Sequence, residues 1–252
     1  MGIYLSSYDT ELGGIMRVAV LAHIFWEDSW DAMKGYFFNL MELQGVEPIF
    51  IINTCFEVVA NDIRQDLPEA HVLVSENRGR DIGGVFMALD FYFKHKICSD
   101  YMIVTHDKKS SPNDFIFLMT MLHKDVIPIV LNRFNKKTVG MIGAKCKHYC
   151  NLEYIEADLL DQYCNTFGLL NMQKGLEDIK YYGFIAGTIF WVRSSIFESF
   201  FSLNDPLKLT LDIVHDYRVM YIMERIFGFL VTDYGYSITN WEDKMPKFNM
   251  ML

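Results

Sequence analysis

Positive charge is scarce in this sequence: 252 residues carry 23 lysines and arginines against 32 acidic groups, a formal charge of −9. That deficit argues against a broad nucleic-acid surface, so each basic cluster has to be read locally. Cysteine is scarce too, and the five present (Cys55, Cys98, Cys146, Cys150, Cys164) form no regular framework. Cys146, His148, Cys150 and Cys164 do not reproduce the ligand spacing of a standard zinc finger. No apolar run reaches the length needed to cross a bilayer. The opening "MGIYLSSYDTELGG" is short, polar and acidic, unlike a secretory leader. A cytoplasmic protein with reduced thiols is expected. The turn after the first apolar run has no glycines and no Gly-Lys-Ser/Thr occurs, which excludes a dinucleotide fingerprint and a Walker loop. There is no Gly-x-Ser-x-Gly elbow and no pair of carboxylates in a glycosidase-like context.

What is present is alternation. "MRVAVLAHIF" (16–25), "VEPIFIINT" (46–54), "HVLVSE" (71–76) and "YMIVTHD" (101–107) read as strands. Between them, "DSWDAMKGYFFNLMEL" (28–43), "CFEVVANDIRQDL" and the stretch after Gly84 carry helical spacing, and another helix is expected within "NDFIFLMTMLHKDVIPIVLNRF". Near-continuous apolar strands alternating with helices imply parallel β-α-β units covered on both faces. Further on, "VGMIGA" (139–144) and "GTIFWV" (187–192) read as strands, and 194–203 and 211–230 as helices. With no repeat, low-complexity run or flexible linker, one α/β domain is expected, its core spanning about 16–235.

In such a sheet, ligands bind beyond the carboxyl ends of the strands. Three features there or nearby carry chemistry. The first is "SENRGRDIGG" (75–84), where glycines permit close approach and a helix start favours an anion. Arg78 and Arg80 could grip phosphates there, or pair with Glu76 and Asp81. The second is "THDKKSS" (105–111), a dense polar cluster leaving a strand. Its lysines could face a diphosphate, and Asp107 could hold a divalent cation or a sugar hydroxyl. A solvated turn with a helix cap is the plainer alternative. The third is Glu224 in "VMYIMERIFGF", a carboxylate on a nearly all-apolar helix. Burial suits it to act as a general base, or to pair with Arg225.

"VAVLAHIFW", "ENRGRDIGG", "HDKKS", "AGTIFWVR" and "ERIFG" occur in an order that resembles the rhamnan synthesis protein F family of bacterial polysaccharide glycosyltransferases. The resemblance runs from about Arg17 to Gly228. It implies a GT-A-like, Rossmann-related fold with a mostly parallel central sheet flanked by helices. It also implies inverting sugar transfer from a nucleotide-sugar donor, dTDP-L-rhamnose above all, to a glycan or lipid-linked glycan acceptor. Membrane contact would then be peripheral, at the inner face. By the same resemblance, His23 and Phe25 lie near the nucleotide base, and Asn77, Arg78, Arg80 and Asp81 near the ribose and diphosphate. His106, Asp107, Lys108, Lys109 and Ser110 occupy the place of a metal motif. Gly187, Thr188 and Trp191 border the acceptor, and Glu224 is its activating base. Asp107 stands where the family motif has threonine, which leaves open whether it is catalytic or ligates Mg or Mn. A non-catalytic nucleotide-sugar or glycan-binding module is the competing function, and nucleotidyl transfer a second.

Overall fold

The computed structural model describes residues 14–108, 121–144, 146–150, 181–207 and 217–241. The first apolar run forms β1 (Met16–Ile24), buried from Val18 onward. Its side chains alternate between two cores. Ala19 and Leu21 enter one, while Val18, Val20, Ala22 and Ile24 enter the other. A strand buried on both faces has no polar side to show, which is why its sequence reads as one apolar run.

Beyond β1 come α1 (Ser29–Met41), β2 (Val46–Thr54), α2 (Glu57–Asp66), β3 (His71–Val74), α3 (Arg80–Lys94) and β4 (Tyr101–His106). β1, β2, β3 and β4 are parallel, each joined to the next through a helix, as the alternation predicts. The rest of the chain departs from that regularity. After α4 (Ile127–Phe134) and β5 (Val139–Gly143), β6 (Cys146–Cys150) and β7 (Tyr181–Ile185) form a separate antiparallel pair. β8 (Phe190–Arg193) then enters the main sheet antiparallel between β4 and β5. It is followed by α5 (Ser194–Phe201), α6 (Tyr217–Asp233) and β9 (Ser237–Asn240), which lies parallel to β5.

The seven strands run in the order β3-β2-β1-β4-β8-β5-β9, a mostly parallel sheet flanked by helices, as expected. The order reverses between β1 and β4: β2 and β3 lie to one side of β1, and the chain crosses over to place β4 on the other. In open α/β sheets ligands bind beyond the carboxyl ends of two such strands, and here those ends carry His23 and His106. One core contains an aromatic cluster, with Phe86, Phe190, Phe197 and Phe227 meeting at centroid distances of 5.4–6.1 Å. Each such ring, fully buried, contributes on the order of 1.5–3 kcal/mol.

Two element boundaries are corrected. α3 begins at Arg80, so Gly83 and Gly84 lie inside it and not ahead of it. The strand expected from 187 begins at Phe190, because Gly187 (φ 92°) and Thr188 (φ 55°) form the β7–β8 turn. β6, β7 and β9 are additions. The helix expected from 211 is described from Tyr217, and 109–120 lies outside the described residues.

Candidate functional site at the switch point

A row of polar side chains crosses the sheet at its carboxyl edge. The register sets His23 opposite both Asn53 and His106, on the face covered by α3. The Asn53 amide donates to Ser75 Oγ at 2.8 Å and to the Leu73 carbonyl at 3.4 Å, so its oxygen is the acceptor for His23 Nδ1 at 2.8 Å. That network assigns the His23 proton to Nδ1 and leaves Nε2 a buried lone pair, without a hydrogen-bond partner among the described residues. Burial holds the His23 pKa below its usual 6.5, against the opposing pull of the Asn53 hydrogen bond. The ring is therefore neutral at pH 7.

The glycines of "SENRGRDIGG" explain how α3 reaches this row. A methyl group on Gly84 would lie 2.1 Å from His23 Nδ1, and one on Gly83 would lie 1.5 Å from the Arg78 carbonyl oxygen. The helix start is thus pressed onto the imidazole and folded against its own turn. Gly79 (φ 70°) and Arg80 (φ 50°) make that turn with two consecutive left-handed residues. For arginine this conformation costs on the order of 1 kcal/mol. No side chain caps α3, so the N–H groups of its first turn have no capping partner.

The two arginines part company here. Arg78 pairs with Glu76 at 3.1 Å, in a contact where both side chains are more than half exposed. Such a pair adds little, about 0–1 kcal/mol. Arg80 and Asn77 are exposed, Lys108 is half-buried, and none of the three has a hydrogen-bond or ion-pair partner among the described residues. Asp81 pairs with neither arginine. Its carboxylate lies 3.4 Å from His106 Nε2, so Arg80 and Lys108 flank that contact along the chain. Lys109 and Ser110 lie outside the described residues.

Asp107 holds the loop that follows β1. One oxygen accepts the backbone N–H of Phe25 at 3.0 Å and of Trp26 at 2.6 Å, and the Asp107 N–H donates to the His23 carbonyl at 3.0 Å. Its side chain is buried. Hydrogen bonds to a charged acceptor are each worth about 1.5–3 kcal/mol, so Asp107 has a structural role independent of any ligand. No group of three or more His, Cys, Asp or Glu that could hold a metal occurs among the described residues. The protein side chains described at this edge therefore do not by themselves form a cage for Mg or Mn. The loop that Asp107 fixes presents Phe25 against Phe56 (5.7 Å) and Trp26 (4.9 Å), with Trp26 41% exposed.

His106 has acceptors at both ring nitrogens: the Asp107 carbonyl at Nδ1 (2.8 Å), and the Gly187 carbonyl at Nε2 (2.8 Å). On the other side of the Gly187 residue, its N–H donates to Glu224 Oε1. Glu224 Oε2 faces Arg225 at 3.6 Å, and that guanidinium lies 4.7 Å over the Phe184 ring. Glu224 therefore does sit beside Arg225, as one of the two sequence readings has it, and also anchors the β7–β8 turn. Thr188 is buried in the same turn.

Trp191 is placed elsewhere. It is fully buried in the core on the opposite face from His23, its indole N–H donating to the Met121 carbonyl at 2.9 Å. The expectation that it borders an acceptor is corrected: alternation along β8 turns it inward. Sequence reasoning gives no individual role to Asn53, Ser75 or Trp26, although they lie in the strand end "NT", the stretch "SENRGRDIGG" and the strand end "HIFWED". Asn53 had a signal, since it ends an apolar strand at the same level as His23.

The chain matches the family model described as rhamnan synthesis protein F over residues 4–236. Among curated proteins there is no match. Among solved structures, it resembles 4-diphosphocytidyl-2C-methyl-D-erythritol synthase at a TM-score of 0.45 and 9% identity, over 89% of this chain and 88% of that one. It also resembles a mannosyltransferase from Pyrobaculum calidifontis in complex with GDP-Man and Mn2+, at a TM-score of 0.43 and 12% identity, over 92% of this chain and 58% of that one.

Proposed function

Because the chain belongs to the rhamnan synthesis protein F family, we propose that it is a glycosyltransferase that moves rhamnose from a nucleoside-diphosphate donor to a growing polysaccharide. dTDP-L-rhamnose is the donor favoured, and a glycan or lipid-linked glycan at the inner face of the membrane is the acceptor. The observation that carries the reading is the uncapped start of α3 at the switch point, with Arg80 and Lys108 beside it and free of protein partners among the described residues. Helix N–H groups and two unpaired cations suit a diphosphate.

The reaction proposed is a single displacement with inversion. An acceptor hydroxyl forms a bond to the anomeric carbon as the bond from that carbon to the diphosphate oxygen breaks. The hydroxyl proton leaves to a base, and the nucleoside diphosphate departs with the bonding pair. Arg80 and Lys108 stabilise the charge that develops on the leaving group, and Asn77 stands at the same turn for the ribose. Positioning and charge placement provide most of the acceleration. Phe25 and Trp26, held by Asp107, offer ring faces to the base, while Gly187 and Thr188 border the acceptor side.

The test is a panel of nucleotide sugars with and without a rhamnan-type glycan acceptor, read as released nucleoside diphosphate. Acceptor-dependent release of dTDP from dTDP-L-rhamnose is expected. Release of pyrophosphate would indicate nucleotidyl transfer, and binding without turnover would indicate a non-catalytic module. Either would overturn the reading.

A further inference from the structure

We infer that Glu224 is a positioning residue that locks the β7–β8 turn, and through it the end of β4, in place of the general base its sequence position suggests. As a statement about turnover the inference rests on the glycosyl-transfer reading. As a statement about the turn it stands alone.

The turn needs holding. Gly187 (φ 92°) and Thr188 (φ 55°) are consecutive left-handed residues, and threonine, being β-branched, is disfavoured there. Both polar backbone groups of Gly187 are committed to side chains from different elements. Its N–H goes to Glu224 on α6, and its carbonyl goes to His106 on β4. These two bonds tie a strained turn to a helix on one side and a strand end on the other.

α6 is itself seated too closely to let Glu224 wander. A methyl group on Gly228 would lie 1.9 Å from the carbonyl oxygen of Gly183 in β7, so helix and strand meet backbone to backbone. Glu224 lies one helical turn before Gly228, on the same face. Gly187 lies four residues after Gly183. The contact at Gly228 therefore aims the Glu224 carboxylate at the turn.

From there the connection continues without a break. His106 Nδ1 meets the Asp107 carbonyl, and the Asp107 carboxylate holds the N–H groups of Phe25 and Trp26. A single hydrogen-bonded path thus runs from α6 through the turn and the end of β4 to the loop after β1. A base must aim a lone pair at the acceptor hydroxyl, within hydrogen-bond reach. In Glu224 one oxygen is directed at a peptide N–H and the other faces Arg225.

The experiment compares the full-length parent with Glu224→Gln and Glu224→Ala. Hydrogen exchange at the Gly187 amide and the NMR signals of the His106 ring are read beside turnover of dTDP-L-rhamnose. Gln keeps an oxygen acceptor, so its Gly187 protection, His106 signals and turnover should stay within about tenfold of the parent. Ala removes the acceptor, so Gly187 exchange should accelerate by roughly tenfold or more, with the His106 signals displaced and turnover lost. A fall in turnover of about 10²–10⁴-fold in Glu224→Gln, with Gly187 protection and the His106 signals intact, would make Glu224 the base and overturn the inference. Equal Gly187 exchange in the parent and both variants would overturn it as well. If Glu224→Ala fails to fold, the Gln comparison decides alone. If the parent turns over no nucleotide sugar, the glycosyl-transfer reading fails, while exchange and ring signals still decide the role in the turn.

Discussion

Gly84 in α3 and Gly228 in α6 are both helix glycines with no room for a methyl group, but they press against different things. Gly84 meets a side chain, the His23 imidazole, whereas Gly228 meets the backbone of β7 at Gly183. The contrast extends to the regions around them. On the parallel side, β1, β2 and β4 bring Asn53, His23 and His106 into line by register alone. On the hairpin side, the geometry depends on bonds between residues distant in sequence, such as Gly187 to Glu224 and Trp191 to Met121. Strand pairing sets the first region and helix seating the second.

That difference can be broken most forcefully at the glycines. Gly228→Ala should destabilise by about 3 kcal/mol, the upper end of the usual overpacking cost, because a backbone carbonyl cannot rotate aside. Gly84→Ala should cost less, nearer 1–2 kcal/mol, if the His23 ring can tilt at the expense of its Asn53 bond. Urea unfolding of both variants tests the order, and a Gly84→Ala penalty as large as that of Gly228→Ala would mean the imidazole is as immovable as a strand.

A comparison within one turn sharpens the picture of the parallel side. Arg80→Ala should weaken dTDP binding by about 1.5–3 kcal/mol, the worth of a hydrogen bond to a charged group. Arg78→Ala should change it by less than about 1 kcal/mol, because Arg78 already faces Glu76 at the surface. Calorimetric titration at two salt concentrations distinguishes them. Equal losses from both variants would remove the distinction drawn between a free and a paired arginine.

The smallest effect expected is a slope. The folded-state pKa of His23 is depressed by burial below the unfolded value near 6.5. Its contribution to stability is therefore complete above that value. As pH falls, the unfolded chain takes up a proton that the folded one refuses, and stability declines until the folded value is passed. Between about pH 7.5 and pH 5, the parent should lose more stability than His23→Gln, measured by urea midpoints. Identical slopes would place the neutral ring assignment in error.

The parallel side was far more legible in the sequence than the hairpin side, and the reason is physical. A strand segment buried on both faces must be apolar, so the polar residue that follows the apolar run marks its carboxyl end, as His23 does after residues 18–22 and Asn53 after residues 49–52. The last two of the three glycines in "SENRGRDIGG", Gly83 and Gly84, read from sequence as a helix start. Their purpose is crowding against His23 and the Arg78 carbonyl, and composition does not encode what a missing side chain would have touched. The family resemblance sets Trp191 in a strand that borders the acceptor, and its register in β8 turns the ring into the core. At Glu224 the sequence offered burial and the adjacent Arg225. Its bond to Gly187, 37 residues away, depends on how α6 lies on β7.

The antiparallel insertion of β8 also has a consequence for how the molecule is made. On a ribosome the chain emerges from its amino end, and β1 to β4 with their helices are complete once Lys94 and His106 are out. β4 then presents an open edge, and the strand that covers it, Phe190–Arg193, is still more than 80 positions from synthesis. β5 is made in the interval, yet its sheet neighbours are β8 and β9, neither of which exists at that moment. Until β8 is available to bridge them, the growing polypeptide carries a parallel half with one open edge and a stranded β5. The four residues of β8 are the keystone of the sheet, and they arrive late.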